Sequence, residues 1–299
     1  MDIEPFWASI AAKAATIDER LSGKYVPAPG KDEACSASQS ETDDAHQRFL
    51  QQWCEFASNG DADLFTRRLA RDGLKANDVA PYLGDVVLRA GEEPPEWLAT
   101  AHWVFDAIVS GGGEVTGDCP PDIQTHVPFA DLIWPVVVAA RARVQGFDAA
   151  LLSADARHDL DRILIRRLAK VYTHTLYESF ESFRKAVGIK PEDTSGPEVY
   201  DAFTSALRSG PFANLVSNRP VMIRLLATIV DQWIVVTGEF IDRLRCDMAA
   251  FGDHFPELRE VSVVQKITGG ISDFHDHGRS VLILEFDTGA KLVYKPRPI

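Results

Sequence analysis

The feature that most constrains this chain is an apolar repeat between Ala154 and Val187. Leu160, Ile163, Leu164, Leu168, Val171, Leu176, Phe180, Phe183 and Val187 recur mostly at steps of three and four residues. That period places side chains on one face of an α-helix. Ser153 stands before the run as an N-cap, and Gly188 follows it as a stop. The sequence therefore predicts one long helix over 154–187.

Helical patterning extends well beyond this run. Phe49, Leu50, Trp53 and Phe56 form an apolar stripe, and Leu64, Leu69 and Leu74 belong to a following helix. Pro94 and Pro95 open another, stopped at Gly111–Gly113. Residues 111–127 hold four glycines and two prolines and read as a loop. Two further helices are expected, one over Val199–Leu207 and one from Pro220 towards Met248. At the other end, Phe6, Ile10, Ala14, Ile17 and Leu21 mark a single amphipathic helix over 4–21. Residues 23–46 are rich in Pro, Gly, Ser and charge and read as a flexible linker. The expected organisation is an N-terminal helix (1–22), the linker (23–46), a helical body (47–255) and a β-rich segment (256–299).

Composition narrows the class. With 45% apolar residues there is ample material for a core. The net charge of −13 argues against nucleic acid as a partner, because phosphate neutralisation needs a basic face. The four cysteines, Cys35, Cys54, Cys119 and Cys246, show no pairing or zinc-site spacing. They fit reduced thiols and a cytoplasmic location. No signal peptide precedes the body, and Val221–Val236, broken by Arg224, Asp231 and Gln232, is too short and polar for a transmembrane segment. Trp97, Trp103, Trp134 and Trp233 fall on apolar helical faces as core residues. Asp61–Asp63 suits a helix start.

After Phe255 the pattern changes. Val261–Ile267, Ser280–Phe286 and Lys291–Lys295 read as three strands, with Asp287-Thr288-Gly289 as the turn between the last two. The fold class is therefore α+β, predominantly α, with a small antiparallel sheet at the end. The order is strand, glycine-rich loop, strand, turn, strand with a terminal lysine. A kinase N-lobe has this order: its loop covers the ATP phosphates and its lysine pairs with them. Gly269, Gly270 and Gly278 would allow close backbone approach, and Lys295 would supply the cation.

The residues of this segment sharpen the comparison. Ser272-Asp273-Phe274-His275, then Gly278, Ser280-Val281, an apolar strand, a turn and Tyr294-Lys295-Pro296-Arg297 resemble a stretch of the type 2 lanthipeptide synthetases (LanM). The family has glycine where this chain has Ser272. Pro128-Phe129-Ala130-Asp131 and Asn218-Arg219-Pro220 through Trp233 extend the resemblance more loosely over 125–299. The resemblance implies the N-terminal part of a dehydratase domain of lipid-kinase-like fold. Such a domain uses ATP and Mg²⁺ to phosphorylate Ser and Thr of a precursor peptide carrying a leader, then eliminates phosphate to give dehydroamino acids. It also implies catalytic roles for Asp273, His275 and Lys295, and nucleotide contacts from Gly278, Ser280, Lys295 and Arg297. The C-lobe and the zinc-dependent cyclase of such enzymes have no counterpart here. The chain is thus expected to be inactive alone and to need a separately supplied remainder as partner.

Other readings of the same residues compete. Asp273, His275 and His277 alternate but lack a fourth ligand, so no metal site is expected of them. Arg279 and Arg297 suit phosphate, yet arginines at strand ends are commonly paired or solvated. The alternative function is a non-catalytic helical module that binds a leader peptide or the remainder of the enzyme.

Overall fold

The computed structural model describes residues 4–28, 36–111, 118–147, 150–190, 196–254 and 263–296, with the backbone alone at 36–43, 249 and 252. The architecture is α+β and predominantly helical. Contacts divide the chain into two units, Met1–Leu98 and Ala99–Ile299.

The first unit contains α1 (Pro5–Ala14), α2 (Ile17–Leu21), β1 (Tyr25–Pro27), α3 (Ser36–Ser58), α4 (Ala62–Arg71), α5 (Ala76–Val79) and β2 (Val86–Leu88). The helix expected over 4–21 is two helices, because Thr16 stops the first and caps the second. Its hydroxyl accepts from Glu19 N at 3.3 Å, and the Glu19 carboxylate accepts from Thr16 N at 2.7 Å. This reciprocal pairing satisfies two of the amide donors that a helix start leaves open. The expected linker over 23–46 also differs. Tyr25 is buried against Ala12, Ala15 and Val86, and β1 pairs antiparallel with β2. One large aromatic outweighs the polar composition around it, since its burial alone can contribute about 2 kcal/mol. Helix α3 begins at Ser36, inside the same window; residues 29–35, with Cys35, lie outside the described residues. Of the α3 stripe, Trp53 packs on Phe65 at 5.2 Å, whereas Phe56 is 91% exposed. Asp61 caps α4, accepting from Leu64 N at 2.8 Å.

The second unit holds α6 (Trp97–Ser110), α7 (Pro121–His126), α8 (Ala130–Arg141), α9 (Ala154–Ala186), α10 (Pro197–Arg208), α11 (Pro211–Asn218) and α12 (Pro220–His254). Helix α9 is the long helix expected, about 50 Å at 1.5 Å per residue. Its Ser153 cap accepts from Ala156 N at 3.1 Å, and Gly188 follows it at φ 82°. Leu160, Leu164, Leu168, Tyr172 and Leu176 of α9 are buried, as are Ile223, Leu226, Val230, Trp233 and Phe240 of α12, and the two helices pack together. Trp134 and Trp233 are core residues; Trp97 and Trp103 are half-buried. Two helices of this unit's described residues lie outside the expected set. One is α11; the other is α7, inside the expected loop 111–127, where Ile123 is buried. Helix α12 contains the stretch 221–236 and runs beyond it on both sides. Among the described residues it is one helix long and apolar enough to cross a membrane by length and composition, although its inner side joins this core.

Strands β3 (Val264–Thr268), β4 (Leu282–Phe286) and β5 (Lys291–Tyr294) form an antiparallel sheet in that order. Val264 pairs with Phe286, Ile283 with Val293, and Leu282 with Tyr294. Gly289 turns the second hairpin at φ 80°, donating to Phe286 O at 2.9 Å. The start of α9 anchors the sheet. Val264 N donates to Leu151 O at 2.8 Å, Ser153 Oγ to Gln265 O at 3.0 Å, and Ile267 N to Asp159 Oδ2 at 2.9 Å. Asp159 in turn accepts from Arg162 at 2.6 Å, and Arg162 donates to Asp122 of α7 at 2.7 Å.

Candidate functional site

Strand period sorts the β5 side chains into two sets. Leu292 and Tyr294 are half-buried, while Lys291, Val293 and Lys295 are exposed. Tyr294 lies against Phe240 of α12 with ring centres 5.2 Å apart, and its hydroxyl accepts from Arg243 at 3.1 Å. Burial pushes that hydroxyl above the usual phenol range. On the opposite side, Val293 is 56% exposed and pairs with Ile283 of β4. Lys295 follows two residues later, so it shares the side of Val293. Among the described residues Lys295 makes no ion pair, whereas Lys291 is paired with Glu285 at 3.2 Å. An uncompensated cation beside a small apolar platform is thus left open on the outer face.

The segment between β3 and β4 is a closed hairpin. At its base the Ser272 hydroxyl accepts from Val281 N at 3.0 Å. Nearer the tip, His275 and Arg279 exchange both backbone hydrogen bonds at 2.8 Å. The three residues between them, Asp276, His277 and Gly278, have φ 36°, 60° and 94°. A left-handed run of this kind is costly for Asp and His, at about 1 kcal/mol each. Arg279 steadies it, donating through one nitrogen to Asp276 O at 2.7 Å and Asp276 Oδ2 at 2.9 Å. Ser272 is not among the positive-φ residues, so serine in place of the LanM glycine brings no strain and adds the clasp at the base.

Three groups of the helical body support this hairpin. Arg167 of α9 lies 4.0 Å above the Phe274 ring and donates to Gln232 of α12 at 3.0 Å. Burial lowers the Arg167 pKa from its usual value. A side chain at Gly278 would meet Gln232 at 2.9 Å, so this glycine permits close packing of the hairpin on α12. Likewise, Gly269 faces Ile163 of α9, whereas Gly270, at φ 73°, has open space. Glu239 of α12 takes both remaining donors of Arg279, at 3.0 and 2.5 Å. The Glu239 hydrogen bonds hold that guanidinium above its ordinary range.

The expected site residues are thus distributed over two surroundings. Gly278 and Ser280 turn towards the body and line a cavity of about 30 Å³ with Arg167, Thr237, Phe274 and Tyr294. Asp273, His275 and His277 are exposed on the hairpin, and Lys295 is exposed on the outer face of the sheet. Arg297 lies outside the described residues. Arg279 is committed to Glu239 and Asp276. Among the described residues, no three His, Cys, Asp or Glu side chains converge as metal ligands. Arg167 and Glu239 were not singled out in the sequence, and Gln232 only as a polar break in an apolar run. They touch the hairpin from 40 to 111 positions away, and no local spacing announces such contacts.

Residues 220–299 match a family described as a domain of unknown function, DUF4135. The matched stretch opens on the first residue of α12 and runs through the sheet, the hairpin and Lys295. It therefore covers both Glu239 and Gln232 and the elements they support. None of the curated proteins matches the chain.

Proposed function

We propose that this chain carries the nucleotide-binding start of a kinase-like dehydratase of the lanthipeptide synthetase type. The observation that carries the reading is Lys295, exposed and without an ion pair among the described residues, beside the Ile283–Val293 pair on the open side of the sheet. An apolar pair suits contact with a nucleobase, and a cation near it suits the phosphates. The exposed hairpin with Asp273 and His275, and the likeness of both segments to LanM enzymes, support the same reading.

Bound ATP would supply the phosphoryl group to be transferred to Ser or Thr of a precursor peptide, with Mg²⁺ neutralising its charge. In this reading Lys295 holds and neutralises phosphate oxygens. During elimination of phosphate it stabilises the charge that develops on the leaving group. Asp273 and His275 act at the reacting phosphate from the hairpin. The base that removes the α-proton is not assigned to any residue of the chain. Titrating Mg–ATP into isotope-labelled protein tests the site: amides of Ile283, Val293 and Lys295 should shift, and those of buried Leu164 and Leu168 should not. Shifts confined to the helical body would contradict it.

A second reading, a helical module that binds a leader peptide, is favoured by one observation. Helices α9, α10 and α11 enclose a groove of about 460 Å³ with Phe183, Phe203, Leu207 and Leu215 among its lining. The Glu178–Arg219 pair at 3.3 Å stands at the same groove. A peptide that quenches or shifts signals there without any effect of nucleotide on the sheet would support this reading over the first.

A further inference from the structure

The hairpin bearing Asp273 and His275 turns one aromatic side chain towards the body, Phe274, which lies under Arg167. Its exposed tip carries two non-glycine residues at positive φ, held within the hairpin by the His275–Arg279 backbone pair and by the contacts of Arg279 with Asp276. The link to the body is therefore decisive for where the tip stands. Glu239 is 40 positions upstream, in the middle of α12, a helix whose neighbouring residues Phe240 and Ile241 are fully buried. A carboxylate on so rigid an element is a fixed point. Its two oxygens engage Nε and one terminal nitrogen of Arg279, the forked geometry in which a guanidinium loses most orientational freedom. The third nitrogen of Arg279 closes the tip through Asp276. One arginine thus ties the turn to itself and to the helical body at once. The Arg279 side chain is only 19% exposed, so water screens this contact less than it would a surface pair.

We infer that Glu239 is a positioning residue: through Arg279 it sets the place of the 272–281 hairpin, and with it the orientation of Asp273 and His275. The role in nucleotide handling rests on the function proposed above; the clasp itself does not. Arg243, which lies 3.9 Å from Glu239 and donates to Tyr294, extends the same cluster to β5, the strand that leads to Lys295. Glu239 therefore stands between the two segments that would have to act on one phosphate chain.

Hydrogen exchange on the full chain, without nucleotide, tests the clasp. In Glu239→Gln the amides of His275 and Arg279 should exchange at least about tenfold faster than in the unsubstituted protein, while those of Leu282–Phe286 stay as they were. Arg279→Lys, which keeps the charge and loses the fork, should show the same local change. It decides the question if Glu239→Gln fails to fold. Unchanged hairpin exchange in a folded variant would overturn the inference, and so would an equal rise in the hairpin and in β4. Mg–ATP titration of the same proteins gives the second reading. Glu239→Gln should weaken binding about tenfold with an unchanged melting temperature. Undiminished binding in that variant would overturn the nucleotide role. If the unsubstituted chain bound no Mg–ATP, the proposed function would fall, and the exchange comparison would still decide the clasp.

Discussion

At the scale of single residues, two positions show how surroundings govern cost. Gly278 combines φ 94° with Gln232 at 2.9 Å and Arg167 at 3.3 Å from where a Cβ would stand. Gly278→Ala should therefore destabilise by about 1–3 kcal/mol, whereas Gly270→Ala, strained but in open space, should cost about 1 kcal/mol. Urea denaturation of the two variants checks the order. Asp161 of α9 is a different case. Its side chain is almost wholly buried, Oδ2 lies 3.1 Å from Arg141 and Oδ1 has no partner. Burial pushes its carboxyl up to about 6, against the pull of Arg141, His158 and Arg157. The folded protein then holds a proton that the unfolded chain, with its ordinary value of 3.8, has released. Stability from this group is fully present below about pH 4 and is lost as pH rises through 6, by on the order of 3 kcal/mol. Asp161→Asn should remove that slope from the melting temperature. Parallel curves for the two proteins between pH 4 and 7 would refute the assignment.

At the scale of elements, what the sequence reveals depends on whether the signal is local. Helix α9 was legible from Ser153 to Gly188 because its cap, stripe and stop all lie in one stretch. The three strands of the sheet were legible for the same reason, down to which β5 residues share a side. Thr16 was readable in principle: Thr-x-x-Glu at 16–19 is a capping signature, and it divides α1 from α2. Strand β1 was not readable, since its partner β2 lies some sixty residues on and only the pairing makes Tyr25 a core residue. Helix α7 hid in a stretch that composition describes as loop. The docking of β3 on α9 was equally hidden. Asp159 accepts the buried Ile267 amide at 2.9 Å, a contact across 108 positions. Asp159→Ala should leave that donor unsatisfied and cost about 2–3 kcal/mol in chemical denaturation, with β3 amides losing exchange protection first.

At the scale of the whole molecule, the candidate site is a small sheet whose inner side is given to packing and whose outer side is left open. The sequence offered candidates for the chemistry, in the Asp273-x-His275 and Tyr294-Lys295-Pro296-Arg297 segments. It did not indicate that Gly278 and Ser280 turn towards helices α9 and α12, or that Arg279 is held by Glu239, because those facts belong to the packing of distant elements. The central claim is that the open side of the sheet is built to hold a nucleotide on Lys295. Calorimetric titration of Mg–ATP into the chain and into Lys295→Ala tests it most directly. The account predicts saturable binding to the first and at least about a tenfold loss in the second, as expected when a phosphate loses its charged hydrogen-bond partner. Equal affinity for both proteins, or no binding to either, would contradict it.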